Sequence, residues 1–187
     1  MSSRFDIFDT PIQGLKVIRR KPLGDSRGYF ERLFCAEELK TLIPDKVIVQ
    51  INHSLTEKLG TVRGMHFQYP PHAEFKFVSC LRGKAFDVAV DLRRDSPTYL
   101  KWHAEILTAD NHKTFALPEG FAHGFQTLTD ECEMLYLHTN FYIPASEGLL
   151  NARDPKLGIK WPVDIADISD RDINNPLISD TFMGVQL

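Results

Sequence analysis

The sequence predicts an all-β fold, an antiparallel double-sheet jelly roll (a double-stranded β-helix) with a few short helices. Short runs of alternating apolar and polar residues are separated by turn signals roughly every 8–12 residues, and almost no stretch has helical spacing. The 187 residues are 43% apolar and 11% aromatic, which is enough to close one core and too much for a disordered chain. No linker, repeat or low-complexity tract interrupts them. Residues 1–187 are therefore expected to form one domain, with a core over about 14–162 and a tail, 163–187, packing on it.

In chain order, residues 14–19 read as a short strand, followed by a turn-rich loop from Pro22 to Gly28. Residues 29–34 (YFERLF) alternate, and residues 35–42 have helical spacing that Pro44 ends. Residues 47–54 form a strand with Ile48, Gln50, Asn52 and Ser54 on one face. Residues 61–78 carry two strand-like runs joined by Pro70-Pro71, and Arg82-Gly83-Lys84 turns the chain into a strand over 85–93. That strand has Phe86, Val88, Val90 and Leu92 on one face and Asp87, Ala89 and Asp91 on the other. Further strands follow at 100–107, 114–117, 120–129 and 133–140; beyond Trp161-Pro162 the alternation fades into a loop or short helix.

Charge and cysteine usage narrow the function classes. A net charge of −3 leaves no basic footprint for nucleic acid or an anionic membrane. Cys35, Cys80 and Cys132 follow no metal-ligand spacing and read as reduced thiols of a cytoplasmic protein. The N-terminal residues are too acidic for a signal peptide, and no run approaches a membrane span.

The informative residues are polar ones on faces that should point inward. His66 shares a parity with Val62, and Lys76 shares one with Val78 and Cys80. A buried base and a buried ammonium need partners or a task. Arg27, Glu31, Gln50, Asn52, Arg63, His123 and Tyr136 complete the set, and in a jelly roll such positions converge on the space between the sheets. Arg63 and His66 are three residues apart, so a regular strand would set them on opposite faces. A bulge at Gly64 is required to reconcile them.

The ordered set Asp25-x-Arg27-Gly28-x-Phe30-Glu31, Gln50-x-Asn52-His53-Ser54, Arg63-Gly64-x-His66-x-Gln68, Lys76, Asp91-x-Arg93, Pro118-x-Gly120-x-Ala122-His123-Gly124-Phe125, Leu135-Tyr136 and Asp154-Pro155 resembles the dTDP-4-dehydrorhamnose 3,5-epimerase family. The likeness runs from about Gly14 to Pro176. It implies a cupin-type jelly roll, normally a homodimer, that acts without cofactor or metal on a nucleotide-diphosphate 4-keto-6-deoxyhexose. By the same resemblance His66 is the base, Asp172 the carboxylate that orients it, Lys76 the cation beside the enolate oxygen, and Tyr136 the acid on the far side of the ring. An imidazole titrates near about pH 6.5, which suits proton abstraction. Arg27, Arg63 and His123 match contacts to diphosphate and sugar, and Glu31, Gln50, Asn52 and Tyr142 match substrate-binding positions, Tyr142 near the nucleotide.

Rival readings remain. A metal-dependent cupin would need two or three converging His with a carboxylate, and no His-x-His pair occurs. A non-catalytic sugar-nucleotide binding module would tolerate loss of base or acid, and both are present. A third reading keeps the fold and substrate class and changes the reaction, since the family resembled includes enzymes that invert only C3 or only C5 and related ketoisomerases. Two departures from the family pattern stand out: Glu74 where Gln is usual, expected by parity to face outward, and Phe141 where Tyr is common, which leaves cytidine diphosphate open beside the default thymidine diphosphate. His53, His103, His112 and His138 are expected to be structural, Asp87 and Asp91 to hold strand ends or pair with Arg93 and Arg94, and Cys80 to fill core.

Overall fold

The computed structural model describes residues 3–187. In chain order its elements are β1 (Phe5–Asp9), β2 (Lys16–Arg20), β3 (Leu23–Asp25), β4 (Gly28–Phe30), α1 (Ala36–Leu39), β5 (Gln50–Thr56), β6 (Thr61–Gln68), β7 (Lys76–Arg82) and β8 (Lys84–Asp91). β9 (Trp102–Thr108), β10 (Lys113–Leu117), β11 (Phe121–Thr127), β12 (Cys132–His138), β13 (Glu147–Leu149), β14 (Asp167–Ile168) and α2 (Asp170–Ile173) follow.

These strands form a jelly roll. One sheet runs β1-β2-β10-β7-β12-β5. The other runs β13-β6-β11-β8-β9, with β14 lying parallel beside the start of β6. The sheets close on a core that alternation supplies from both sides: Val78, Phe115, Leu117 and Met134 from the first, Ala85, Ala89, Leu107 and Phe125 from the second. Cys80 is buried there as core, and all three cysteines are free thiols. Burying a side chain the size of Phe115 is worth roughly 2–3 kcal/mol.

Each sheet also buries its outer face. The helix α1 and the chain after it put Leu39 and Ile43 over Ile18, Phe77 and Leu137. The chain after β13 and the C-terminal tail lay Leu157, Ile178 and Val185 over Met65, Val88, Val90 and Leu92. The richer apolar face of β8 therefore looks outward to the tail, and Asp87 and Ala89 look into the space between the sheets. A strand covered on both sides cannot be oriented by hydrophobicity alone.

Several boundaries differ from the sequence expectation. The first sheet begins at Phe5 rather than near Gly14, because β1 pairs with β2 along its length. Residues 29–34 do not form one strand: β4 ends at Phe30, and Tyr29 and Phe30 stand 62% and 70% exposed on the two-stranded ribbon β3–β4. The strand expected over 47–54 runs instead over Gln50–Thr56.

The bulge required at Gly64 is present. His66 pairs with His123 and Arg63 with Phe125, so Gly64 and Met65 face the single residue Gly124. Gly64 has φ +117°, and a Cβ there would meet the Gly124 Cα at 2.6 Å and the His123 carbonyl oxygen at 2.7 Å. Gly64→Ala is expected to destabilise the fold by about 3–5 kcal/mol, since both neighbours are backbone. Chemical denaturation measures it, and a loss under about 1 kcal/mol would contradict this close packing.

Candidate active site

The bulge turns Met65 outward, where its backbone exchanges hydrogen bonds with Leu150, and returns His66 to the interior beside Arg63. The pairing of β14 with the start of β6 then delivers α2 to the same place. Ser169 caps that helix, its Oγ accepting from the Asp172 amide at 3.1 Å. Asp172 so held accepts from His66 Nε2 at 2.7 Å and from the Gly64 amide at 3.1 Å. Burial alone would raise the Asp172 carboxyl, but the His66 hydrogen bond, its charge and the Gly64 N–H hold it below the ordinary 3.8. An ionised carboxylate only accepts, so in the neutral imidazole the proton lies on Nε2 and the lone pair on Nδ1.

Three further groups come from the neighbouring strands. His123 of β11 faces Asp87 of β8, its Nε2 lying 2.9 and 3.0 Å from the two carboxylate oxygens. Burial pushes the Asp87 carboxyl up, against the opposing pull of His123 and Lys76. Tyr136 of β12 shares a hydrogen bond of 3.1 Å with Ser54 of β5. Burial pushes the Tyr136 phenol well above 10, so it stays protonated through the neutral range. Lys76 of β7 lies opposite His138 of β12 in register.

His66, Asp172, His123, Tyr136, Ser54 and Lys76 line a cavity of about 510 Å³ between the sheets, a size suited to a small organic ligand. Of the residues picked out from the sequence, His66, Asp172, Lys76, Tyr136, Asn52, Arg63 and His123 line it. Gln50 and Tyr142 are not among its lining residues; Gln50 donates to the lining residue Asn52 at 3.2 Å, the Tyr142 amide donates to Gln50 Oε1 at 3.1 Å and the Tyr142 hydroxyl to Glu147 Oε2 at 3.1 Å. Arg27 and Glu31 are not brought in. Arg27 stands exposed at the tip of β3–β4, paired with Asp25. Glu31 is turned inward against Arg20 Nε at 2.9 Å and His112 Nδ1 at 2.8 Å, tying the ribbon to the first sheet.

Three expectations need correction. Glu74 does not face outward: its carboxylate lies 2.9 Å from Lys76 Nζ and 2.8 Å from His138 Nδ1. Glu74 shares the parity of Lys76, and the two side chains meet although β7 begins only at Lys76. His138 lines the cavity rather than serving structure alone, and Asp87 holds His123 rather than a strand end, which Asp91 does through Arg93. The signal for Asp87 was a charge in mid-strand in Ala85-Phe-Asp-Val-Ala-Val90. Among the described residues no three His, Cys, Asp or Glu side chains gather as a metal site, and each cavity imidazole–carboxylate pair is already satisfied internally.

The model of the dTDP-4-dehydrorhamnose 3,5-epimerase family matches residues 9–180. The chain belongs to that family. It is 40% identical over 179 residues to the dTDP-4-dehydrorhamnose 3,5-epimerase of Salmonella typhimurium, covering 95% of this chain and 97% of that one. The crystal structure of a dTDP-6-deoxy-D-glucose-3,5-epimerase from Legionella pneumophila, in complex with dTDP-4-keto-L-rhamnose, superposes with a TM-score of 0.91 at 36% identity, covering 98% of each chain. A 3'-monoepimerase from Streptomyces bikiniensis in complex with dTDP-quinovose superposes with a TM-score of 0.82 at 34% identity, over 90% of this chain and 85% of that one. The epimerase family thus accounts for the jelly roll and for the order of the motifs along it.

Proposed function

We propose that this protein epimerises C3 and C5 of a nucleotide-diphosphate 4-keto-6-deoxyhexose, with dTDP-4-dehydro-6-deoxyglucose as substrate and dTDP-4-dehydrorhamnose as product. The observation that carries this reading is that His66 and Tyr136 stand on opposite sheets and line one cavity. A C4 ketone acidifies the hydrogens on both neighbouring carbons. Inversion needs a proton removed from one face of the ring and another delivered to the opposite face. His66 Nδ1 takes the proton, and the imidazolium is stabilised by Asp172. Negative charge moves to O4, where the Lys76 ammonium offsets it; a preorganised donor of this kind supplies about 3–4 kcal/mol. Tyr136 returns a proton from the far side. Arg63 and His123 contact the diphosphate and sugar, Arg through its bidentate fork.

Exchange in deuterated water tests this directly. With metal-stripped protein and dTDP-4-dehydro-6-deoxyglucose, deuterium is expected at both C3 and C5 by NMR. Label at one carbon only would make the protein a mono-epimerase like its Streptomyces neighbour. Absence of label with the thymidine substrate but not with a cytidine one would move the nucleotide assignment, and loss of exchange on chelation would defeat the metal-free mechanism.

The protein works as a cytosolic homodimer on this reading. The ribbon β3–β4 exposes Leu23, Tyr29 and Phe30, and the edge strand β5 exposes Ile51 and Leu55. Apolar residues gathered on a ribbon and a sheet edge suit a second copy of the chain. Such pairing lets Arg27 reach a cavity that its own chain does not offer it. Sedimentation should give twice the chain mass. Arg27→Ala should raise KM about 10- to 100-fold with kcat little changed, the worth of a charged hydrogen bond; an unchanged KM would remove Arg27 from the binding site.

A further inference from the structure

Glu74 begins a hydrogen-bond chain that runs along one wall of the cavity. Its Oε1 holds Lys76 Nζ at 2.9 Å, and its Oε2 lies 2.8 Å from His138 Nδ1. His138 Nε2 lies 3.3 Å from Asn52 Nδ2, Asn52 Oδ1 accepts from Gln50 Nε2 at 3.2 Å, and Gln50 Oε1 accepts from the Tyr142 amide at 3.1 Å. The His138 ring is also stacked on Tyr136, with centroids 6.3 Å apart and planes 23° from parallel, which limits its rotation.

Both ends of this chain have fixed roles: the Tyr142 amide can only donate, and Glu74 can only accept. Glu74 is held down to about 2, because Lys76 and His138 outweigh the burial that would raise it, so its carboxylate can only accept. A neutral His138 must then carry its proton on Nδ1, and Nε2 accepts. Asn52 must offer Nδ2 to it and turn Oδ1 toward Gln50, and Gln50 must point Nε2 at Asn52 and Oε1 at the Tyr142 amide. Without the anion the chain would be ordered from the exposed Tyr142 amide alone, and His138 could move its proton to Nε2 at the expense of its 3.3 Å contact with Asn52 Nδ2.

We propose that Glu74, acting through His138, is a positioning residue that sets the donor and acceptor pattern which Asn52 and Gln50 present to the ligand. The proposal rests on the reading that this cavity takes the sugar nucleotide. It assigns to Glu74 a part in selecting and seating the ligand, while Glu74 itself stays behind the cavity wall. The contact with Lys76 adds a second consequence: the same carboxylate that orders the amides also limits where the ammonium can lie.

Two independent readouts test it. In uniformly nitrogen-15-labelled protein at about pH 8, where an ordinary imidazole is neutral, long-range proton–nitrogen NMR should find His138 protonated on Nδ1, with the resonance identified by its absence in His138→Gln. Glu74→Gln should lose that preference. In steady-state kinetics with dTDP-4-dehydro-6-deoxyglucose, Glu74→Gln and His138→Gln should each raise KM about tenfold. The double variant should be no worse than His138→Gln alone, because residues acting through one another are not additive. A wild-type His138 protonated on Nε2, a KM within twofold of wild type for Glu74→Gln, or full additivity would each overturn the proposal. The tautomer needs neither substrate nor variant folding of Glu74, so it decides the matter if the activity lies elsewhere or if Glu74→Gln does not fold.

Discussion

His66→Ala is expected to abolish deuterium incorporation at both C3 and C5, lowering exchange by about 10³–10⁴-fold. The other imidazoles that line the cavity each face a carboxylate of their own: His123 faces Asp87, His138 faces Glu74, and His53 faces Glu133. The loss should come in kcat, because the imidazole is half-buried beside the bulge and adds little to ground-state binding. Asp172→Asn should cost about 10²-fold or more, since the amide can present its NH2 to Nε2 and leave Nδ1 holding the proton. The pH sign follows from the depressed Asp172 carboxyl. Its folded-state value lies below the ordinary 3.8, so the Asp172 contribution to stability is fully present above about pH 5 and is lost as pH falls through the folded value. Acid unfolding of wild type and Asp172→Asn should therefore converge below that range and stay separated by a constant amount above it. If His66→Ala retained exchange at either carbon, the base for that carbon would have to be another group.

The dyad could be foreseen in part because its geometry needed one specific irregularity. Arg63 and His66 on one face demand a bulge, and a glycine stands between them; the sequence carried both the need and the means. Lys76, Val78 and Cys80 could be placed by parity because β7 is regular from Lys76 onward. The same counting, carried two residues back, puts Glu74 on the side of Lys76, where it lies; the outward expectation took the turn to reach past Glu74, so that parity would not hold there. Asp87 was hidden for a different reason. With the tail over one face of β8 and the facing sheet over the other, apolar residues do not mark which side is inside. Asp172 was reached only through the resemblance, since no local pattern says that residue 172 returns to residue 66; the pairing of β14 with β6 and a serine cap achieve it. β1 escaped because its sequence, Phe5-Asp-Ile-Phe-Asp9, is short and acidic, and it belongs to an edge where only one neighbour is needed.

Tyr136→Phe is expected to separate two steps that His66→Ala removes together. The substitution keeps the ring that packs against the core and the stack on His138, and deletes only the hydroxyl shared with Ser54. Abstraction by His66 and holding of the enolate by Lys76 do not require that hydroxyl. Solvent deuterium should still enter the centre that His66 can reprotonate on the face it deprotonated, while net inversion falls about 10²–10³-fold for want of a donor on the other face. Burial keeps the phenol above its ordinary 10, so raising the pH to about 10 should not remove the donor, and turnover should not decline on the alkaline side through Tyr136. A weaker acid gives up its proton only to a strong base and only if the phenolate is then stabilised. The enolate is such a base, and Arg63 and Ser54 draw the phenol's value down from what burial alone would impose. The ratio of exchange to inversion, followed by NMR in one sample, is the quantity to measure. A common loss of both in Tyr136→Phe would mean that the hydroxyl helps form the enolate, and the two-sided division of labour between the sheets would have to be given up.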